Sequence, residues 1–322
     1  MITENADNVE IRQYTYKSGA FYEGTFDGVM RSGRGYWRHP KGEVYEGEYR
    51  NNKEEGLGVY KFEGSGKTYI GQWLNGKMHG AGIYYFNPEH TVYYIGHYVE
   101  DQKHDLGYYC YESGILTTQK WDMGRLIHEE PSTPVEQVDV AIQINELIAK
   151  VRIVAPRQLG EISSSKMHTF QFPYGATYTG QYLGTKKHGQ GYWLHPEGDS
   201  YEGQFENNKH NGWGVYIIGR SGKKFVGSWR DGKMDGIGIY FFNPQETEYF
   251  FGNYHADLKH GCGMYHFAES GHNRLQTWEN GVLKEEMSMD ESSLAEYTKA
   301  IHKLIQTVCP YAPNYEPIAF AG

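Results

Sequence analysis

The sequence is poor in the features that mark most enzymes, secreted domains and nucleic-acid binders. Cysteine is nearly absent: Cys110, Cys262 and Cys309 are scattered through 322 residues with no CxxC pair. Three isolated thiols make no disulfide framework and fit a reducing cytosolic or ciliary compartment. No stretch approaches the roughly 20 apolar residues a membrane helix requires. The first residues, MITENADNVEIRQ, are polar and acidic, so no signal peptide is expected, and no lipidation motif is found. Basic residues are outnumbered, 31 Lys and Arg against 40 Asp and Glu, giving a net charge of −9. That balance argues against nucleic acid as a partner and against simple electrostatic attachment to anionic membrane.

Two residue classes are in excess. The chain holds 29 Tyr, 14 Phe and 7 Trp, and 41 Gly. Rings and glycines together predict strands whose side chains stack while backbones approach closely. Their distribution is periodic. An 18-residue pattern starts at Tyr22, Tyr45, Tyr69 and Tyr94, and again at Tyr178, Tyr201, Phe225 and Phe250. Position three is always glycine, as in Gly24, Gly47, Gly71 and Gly96. Position five is aromatic: Phe26, Tyr49, Trp73, Tyr98, Tyr182, Phe205, Trp229 and Tyr254. Position fourteen is glycine again, followed two residues on by Trp or Tyr.

The strand period of two places positions one, three and five on one face, which reads ring, glycine, ring. A polar segment such as RNNKEEG or LNGKMHG between the two apolar runs predicts a hairpin turn. Each repeat is therefore one β-hairpin, and hairpins unstable alone must stack edge to edge. The expected fold is mostly β, an elongated single-layer sheet of stacked hairpins in two duplicated halves.

The halves match at a separation of 156: Tyr22 with Tyr178, Tyr45 with Tyr201, Gly71 with Gly227. A lone strand precedes each array, YTYKSG from Tyr14 and FQFPYG from Phe170. A broken repeat ends each, with Gln119 and Gln276 in the glycine slot, as expected of caps. An amphipathic helix follows each array. Val140, Ile144, Leu147, Ile148 and Val151 form one apolar stripe; Tyr297, Ile301, Leu304, Ile305 and Val308 form the other. Thr133 with Glu136, and Ser293 with Glu296, read as capping boxes. The helices are expected either to pack on their own sheets or to dock on a partner. The resulting division is residues 1–130 as array one, 131–156 as a helix, 157–168 as a linker, 169–287 as array two, and 288–322 as a helix and tail.

Catalytic chemistry finds no foothold in the motifs. GxSxG, HRD and DFG are absent, and the GxG strings lie inside hairpins rather than at a strand–helix turn. The histidines His79, His104, His188, His210 and His260 recur with the repeat and are expected in turns, not as metal ligands. Glu46 and Glu48 alternate with rings and are expected on a solvated strand face. No cofactor, metal or enzymatic activity is predicted.

The motifs YEGEY, YIGQW, KMHGAG and KKHGQG resemble the MORN repeat family, over roughly residues 14–126 and 170–283. Asp105, in place of a turn-end glycine, departs from the pattern and is expected to distort that turn. The resemblance implies a non-catalytic scaffold similar to MORN proteins of ciliary and flagellar axonemes, such as radial spoke heads, and of other cytoskeletal assemblies. Its ring-lined face is then expected to hold a neighbouring protein through Tyr49, Tyr60, Trp73, Tyr84 and Tyr98, and through Phe205, Tyr216, Trp229, Tyr240 and Tyr254. The helix residues Ile144, Leu147, Ile148, Val151, Ile301, Leu304, Ile305 and Val308 are further docking candidates. A membrane–cytoskeleton tether for acidic lipid and a regulatory subunit of an enzyme are the alternatives. A homodimer and a single chain bridging two equivalent sites are both compatible with the sequence.

Overall fold

A computed structural model describes residues 11–160 and 166–317. It contains two antiparallel sheets of eleven strands each, every strand paired with its neighbours in sequence. The first runs from β1 (Ile11–Thr15) to β11 (Arg125–Pro131), the second from β12 (His168–Gln171) to β22 (Val282–Ser288). Neither closes into a barrel. The helices are α1 (Pro134–Arg152), a short α2 (Pro156–Leu159) and α3 (Glu291–Val308).

The compact units interleave along the chain. One comprises Met1–Cys110, Thr117–Glu130 and Glu146–Glu161; the other comprises Tyr111–Leu116, Pro131–Asn145 and Ile162–Gly322. Helix α1 is thus shared between them, and α2 lies where the sequence suggested only linker. Residues 161–165, the Ser-rich part of that linker, lie outside the described residues.

One hairpin explains the rest. In β4 (Val44–Arg50) and β5 (Lys53–Lys61), Arg50 pairs with Lys53, so the turn is only Asn51-Asn52. Both have positive φ, 51° and 67°, which is the two-residue turn whose twist matches the strands. Asparagine tolerates this region better than most side chains, so the turn is shorter than the polar run RNNKEEG suggested. The remaining residues of that run enter the second strand and form a bulge, with the register shifting between Gly47 and Tyr49. Gly56 sits in the bulge at φ +70°.

Asp105 occupies the same bulge position in β9 (Gln102–Cys110). It adopts φ +58°, and Gly96 still pairs with Gly107, and Tyr98 with Lys103. The substitution therefore leaves the flanking register and the two-residue turn in place and narrows the bulge, since His97 pairs with His104 where Glu48 has no strand partner.

Successive hairpins are tied at their turns. The Asp101 carboxylate accepts from the Met78 N–H at 2.8 Å, and the Asp101 N–H donates to the Met78 carbonyl at 3.0 Å. The Asn208 amide oxygen and N–H bind Lys187 in the same way, and Asp257 binds Met234.

The two faces of the second sheet differ in chemistry. One carries rings. The other is aliphatic and closes a core in which Trp213, Val215, Val226, Ile237, Ile239, Phe241, Phe251 and Met264 pack with Tyr297, Ile301, Leu304, Ile305 and Val308 of α3 and with Val138 of α1. The caps also differ from one another. Thr133 and Glu136 form the expected reciprocal box, with Thr133 N–H donating to Glu136 at 2.7 Å. At α3 the cap is Asp290, which accepts from the Ser293 N–H at 2.7 Å. Ser293 lies inside the first turn there, because Asp290 offers a stronger, charged acceptor.

Two substitutions test these local rules. Asp105→Gly is expected to stabilise the chain by about 0.5–1 kcal/mol, by removing a side chain from left-handed backbone. Gly58→Ala is expected to destabilise it by about 1–3 kcal/mol through overpacking, since a Cβ there would meet the Tyr45 Cζ at 2.6 Å. Urea unfolding of both variants measures each change; a neutral Gly58→Ala would contradict the packing described next.

Candidate functional site

The ring face is built in two tiers. In the lower tier the position-one ring lies across a pair of facing glycines. Tyr45 covers Gly47 and Gly58, which are paired Cα to Cα, and a Cβ added at Gly47 would stand 2.6 Å from the Tyr45 hydroxyl. That hydroxyl donates to the Glu48 carbonyl at 3.0 Å. Tyr69, Tyr178 and Tyr201 repeat the bond to Gln72, Gln181 and Gln204. Burial pushes these phenols up; Tyr22 reaches about 12. The position-four side chain then closes the bulge: Glu48 accepts from the Leu57 N–H at 2.7 Å, and Gln72 from the Ala81 N–H at 2.8 Å.

The position-five rings stand perpendicular to these. Tyr22 meets Tyr49 at 5.3 Å and 90°, Tyr45 meets Trp73 at 5.4 Å and 89°, and Tyr69 meets Tyr98 at 5.3 Å and 86°. Tyr201 with Trp229, and Phe225 with Tyr254, continue the zigzag in the second array. Such edge-to-face pairs contribute about 0.5–1.5 kcal/mol each beyond area burial.

The ten candidate rings therefore fall into two groups. Tyr49, Trp73, Tyr98, Phe205, Trp229 and Tyr254 are buried in the zigzag. Tyr60, Tyr84, Tyr216 and Tyr240 are half-buried and form the upper tier. In the first array that tier is a continuous row: Tyr60–Phe62 at 4.7 Å, Phe62–Tyr84 at 5.5 Å, Tyr84–Phe86 at 4.8 Å and Phe86–Tyr109 at 5.5 Å. In the second array some hydroxyls of this tier are engaged, Tyr216 on Asp199 at 3.1 Å and Tyr265 on Glu248 at 2.6 Å.

The helix candidates divide as well. Ile301, Leu304, Ile305 and Val308 are core residues of the second unit, and Val151 is buried. Ile144, Leu147 and Ile148 are half-buried.

Position ten of the repeat carries a signal the consensus conceals. The register sets it opposite the position-five ring: Phe26 faces Arg31, Tyr49 faces Glu54, Trp73 faces Met78 and Tyr98 faces Lys103. Lys187, His210, Met234 and Lys259 hold the same place in the second array. Lys103 lies 4.3 Å from the ring centres of both Tyr94 and Trp121, with Phe86 and Tyr109 completing a cage. Lys259 repeats it among Phe242, Phe250, Tyr265 and Trp278. Burial lowers each ammonium to about 8. His210 stacks on Tyr201 at 3.7 Å, and burial drives its imidazole down to about 3, so it is neutral.

The histidines thus depart from the expected turn positions. His210 and its position-eleven neighbours His79, His104, His188 and His260 all lie in second strands, and His188 and His260 are buried. The His260 Nδ1 accepts from the Asn280 N–H at 3.2 Å. Among the described residues no group of three or more His, Cys, Asp or Glu is arranged to hold a metal.

Glu46 also overturns its expectation of a solvated face. It is buried, and its carboxylate accepts from the backbone N–H of Arg157 at 3.2 Å and of Gln158 at 2.9 Å. Glu202 does the same for Asn314, through its N–H at 2.9 Å and Nδ2 at 2.7 Å. Each array thus pins the chain segment that follows its helix with one carboxylate. Beside the second latch, Lys224 pairs with fully buried Glu246 at 2.6 Å, and the Tyr315 hydroxyl reaches the same carboxylate at 3.3 Å.

The MORN repeat family model matches residues 45–67, 69–89, 178–200, 201–219, 225–245 and 250–271. The chain carries MORN repeats, and the hairpins from Tyr22 and Tyr94 share their architecture. Human Alsin is 36% identical over 115 residues, 34% of this chain and 7% of Alsin; Alsin of Rattus norvegicus is 30% identical over the same length. The chain thus spans about 7% of these relatives. Among solved structures, the SAS-4 (dCPAP) TCP domain of Drosophila melanogaster covers 72% of this chain and 83% of its own, at 8% identity and a TM-score of 0.20, too low to bear on the fold.

The latches give a pH-dependent prediction. Burial raises the Glu46 and Glu202 carboxyls above the ordinary value of 4.5, against the lowering effect of their hydrogen bonds. A raised folded-state value means the folded chain binds the proton more tightly than the unfolded chain. The contribution of these groups therefore grows as pH falls through the folded-state value and levels off below about 4.5. Glu46→Ala is expected to cost about 1–3 kcal/mol at pH 7, by orphaning two backbone donors. The gap between wild type and variant should widen on acidification, as measured by denaturant titrations at pH 7 and near pH 4.5; a narrowing gap would mean that the hydrogen bonds outweigh burial at Glu46, and a negligible cost at pH 7 refutes the latch.

Proposed function

We propose that this protein is a non-catalytic scaffold that binds neighbouring proteins within a ciliary or flagellar axonemal complex such as the radial spoke head. The supporting observation is the half-buried upper tier of rings, Tyr60, Phe62, Tyr84, Phe86 and Tyr109, with Tyr216, Tyr240 and Phe242 in the second array. These rings lie over the buried lower tier and remain partly open to solvent. Aromatic residues held this way are anchors that lose little conformational entropy on binding. The buried rings Tyr49, Trp73, Tyr98, Phe205, Trp229 and Tyr254 support the platform rather than touch the partner. MORN repeats are generally non-catalytic, and the duplication supplies two such platforms in one chain.

Two readings compete with this one. A tether to acidic lipid would draw on the same repeats, against a net charge of −9. A regulatory enzyme subunit would bring a catalytic partner in fixed ratio.

The tagged full chain is expected to stay with salt-washed axonemes of a ciliated cell, and to crosslink to axonemal subunits through the ring face. Tyr84→Arg with Tyr240→Arg is expected to keep the strand circular dichroism and to reduce partner recovery at least about tenfold, a loss of roughly 1.4 kcal/mol. Unchanged recovery with the folded double variant rules out the ring face. Recovery in the detergent-soluble membrane fraction, with flotation on phosphoinositide vesicles, moves the tether forward instead.

A further inference from the structure

Position ten fills a ring-walled cell in every hairpin, and four of the eight occupants are cations. Arg31 lies 4.8 Å from the Tyr49 ring, Lys187 5.5 Å from Tyr178 and Phe205, and Lys103 and Lys259 sit in four-ring cages. The rings of this fold are therefore arranged to hold an organic cation by its attraction to their faces. The second hairpin of the first array breaks the rule. Its cell is walled by Tyr45, Tyr49, Tyr60 and Trp73, with Tyr45–Tyr49 at 5.1 Å, Tyr45–Trp73 at 5.4 Å and Tyr60–Trp73 at 6.0 Å. Its position-ten residue is Glu54, an anion.

The negative charge of this cell is uncompensated. Half-buried Glu54 stands opposite Tyr49 in the register, and its charge adds to burial in raising the phenols of Tyr45, Tyr49 and Tyr60. Among the described residues no lysine, arginine or histidine pairs with it; Arg31 of the preceding hairpin is engaged on the Tyr49 ring and the Asn52 carbonyl. The Tyr49 hydroxyl, opposite Glu54 in the register and only 3% exposed, has no hydrogen-bond partner, and neither do the Tyr94 and Tyr98 hydroxyls beside caged Lys103, so the anion is what sets this cell apart. Glu43, beside Tyr60, adds negative charge at the same end of the ring row, paired only with half-buried His39 at 3.4 Å. The duplicated cell differs: His210 lies flat on Tyr201 as a neutral plug.

We propose that the cell around Glu54 binds a cationic side chain, the ammonium or guanidinium of a lysine or arginine on an extended segment of a partner protein. This rests on the protein-binding reading above and gives it a direction. The cation seats against half-buried Tyr60, above buried Trp73, with Glu54 as counter-ion, and the segment runs along the row Phe62, Tyr84, Phe86. Lys103, caged at the far end of that row, sets the opposite charge there and fixes the polarity of the segment. The second array, with its plug, takes the same segment more weakly.

The test uses the full chain and Gly/Ser peptides of about eight residues carrying one arginine, one lysine or, as an uncharged control, one norleucine. Choline is the probe for a headgroup source. Binding is read by tryptophan fluorescence and by tyrosine side-chain NMR. The arginine and lysine peptides are expected to bind at least about tenfold more tightly than the norleucine peptide and to weaken with salt. Glu54→Lys is expected to abolish binding while remaining folded, since the chain already accepts a cation in this position four times. Glu54→Gln is expected to weaken binding about tenfold, and His210→Ala to leave the first-array signals unchanged.

Equal binding of the norleucine peptide, full binding by Glu54→Lys, choline binding tighter than either cationic peptide, or no peptide binding at millimolar concentration each overturns the proposal. Partner recovery that still depends on Tyr84 and Tyr240 would then leave the protein-binding reading standing. Loss of both dependences removes the two together.

Discussion

The structure depends on one contact, a six-membered ring laid flat across two glycines paired between neighbouring strands. Tyr45 over Gly47 and Gly58 is the example. Any Cβ at those glycines would occupy the space of the ring, and any smaller side chain at Tyr45 would leave backbone uncovered. The contact also sets the orientation of what lies above it. A ring flat on the sheet presents its edge to the next hairpin, which is why Trp73 meets Tyr45 at 89° and why the zigzag propagates. The tyrosine hydroxyl then fastens the ring to a carbonyl on its own strand. Phe225 and Phe250 lack that bond and still occupy the lower tier, so steric fit across the glycine pair is the larger effect and the hydroxyl a refinement.

This contact explains why the sheet was legible in the sequence. Glycine at positions three and fourteen and rings at one and five are demanded by a local geometry that recurs unchanged, so composition and spacing together report it. The duplication, the terminal caps at Gln119 and Gln276 and the α3 stripe were legible for the same reason. Each is a periodicity or its interruption. In the caps the glutamine amide now bridges a tryptophan N–H and an edge-strand carboxylate, Trp121 to Gln119 to Glu129 and Trp278 to Gln276 to Glu286.

What stayed hidden was non-periodic or long-range. Glu46 reads as one more polar residue on an alternating strand; its burial comes from backbone about 111 residues later in the chain. The turn was overestimated because the polar residues of RNNKEEG serve both a two-residue turn and a bulge, and polarity alone does not separate them. Residues of one aromatic class divide into buried and half-buried tiers by strand, and only the pairing register reveals which is which. Helix α1 could not be assigned to one sheet, because its two ends belong to different units and the residues that join the second core, Val135, Val138, Ala141 and Ile142, lie off the predicted stripe.

Position ten shows how a repeat protein acquires specificity without altering its frame. A consensus discards this column, since Arg31, Glu54, Met78, Lys103, Lys187, His210, Met234 and Lys259 share no chemistry. The register nevertheless delivers all eight to equivalent cells. A frame this rigid allows one column to vary freely, because ring stacking and turn ladders hold each hairpin whatever fills the cell. Cations fill the cell and satisfy the ring faces; methionine fills it with apolar, polarisable bulk; a neutral imidazole stacks. Only the carboxylate is repelled by the negative faces around it, and it is retained at one site in one of two duplicated arrays. A residue that is unfavourable within its own chain becomes favourable when a ligand brings the opposite charge, and the two arrays, alike in their paired glycines and stacked rings, become different binding surfaces there.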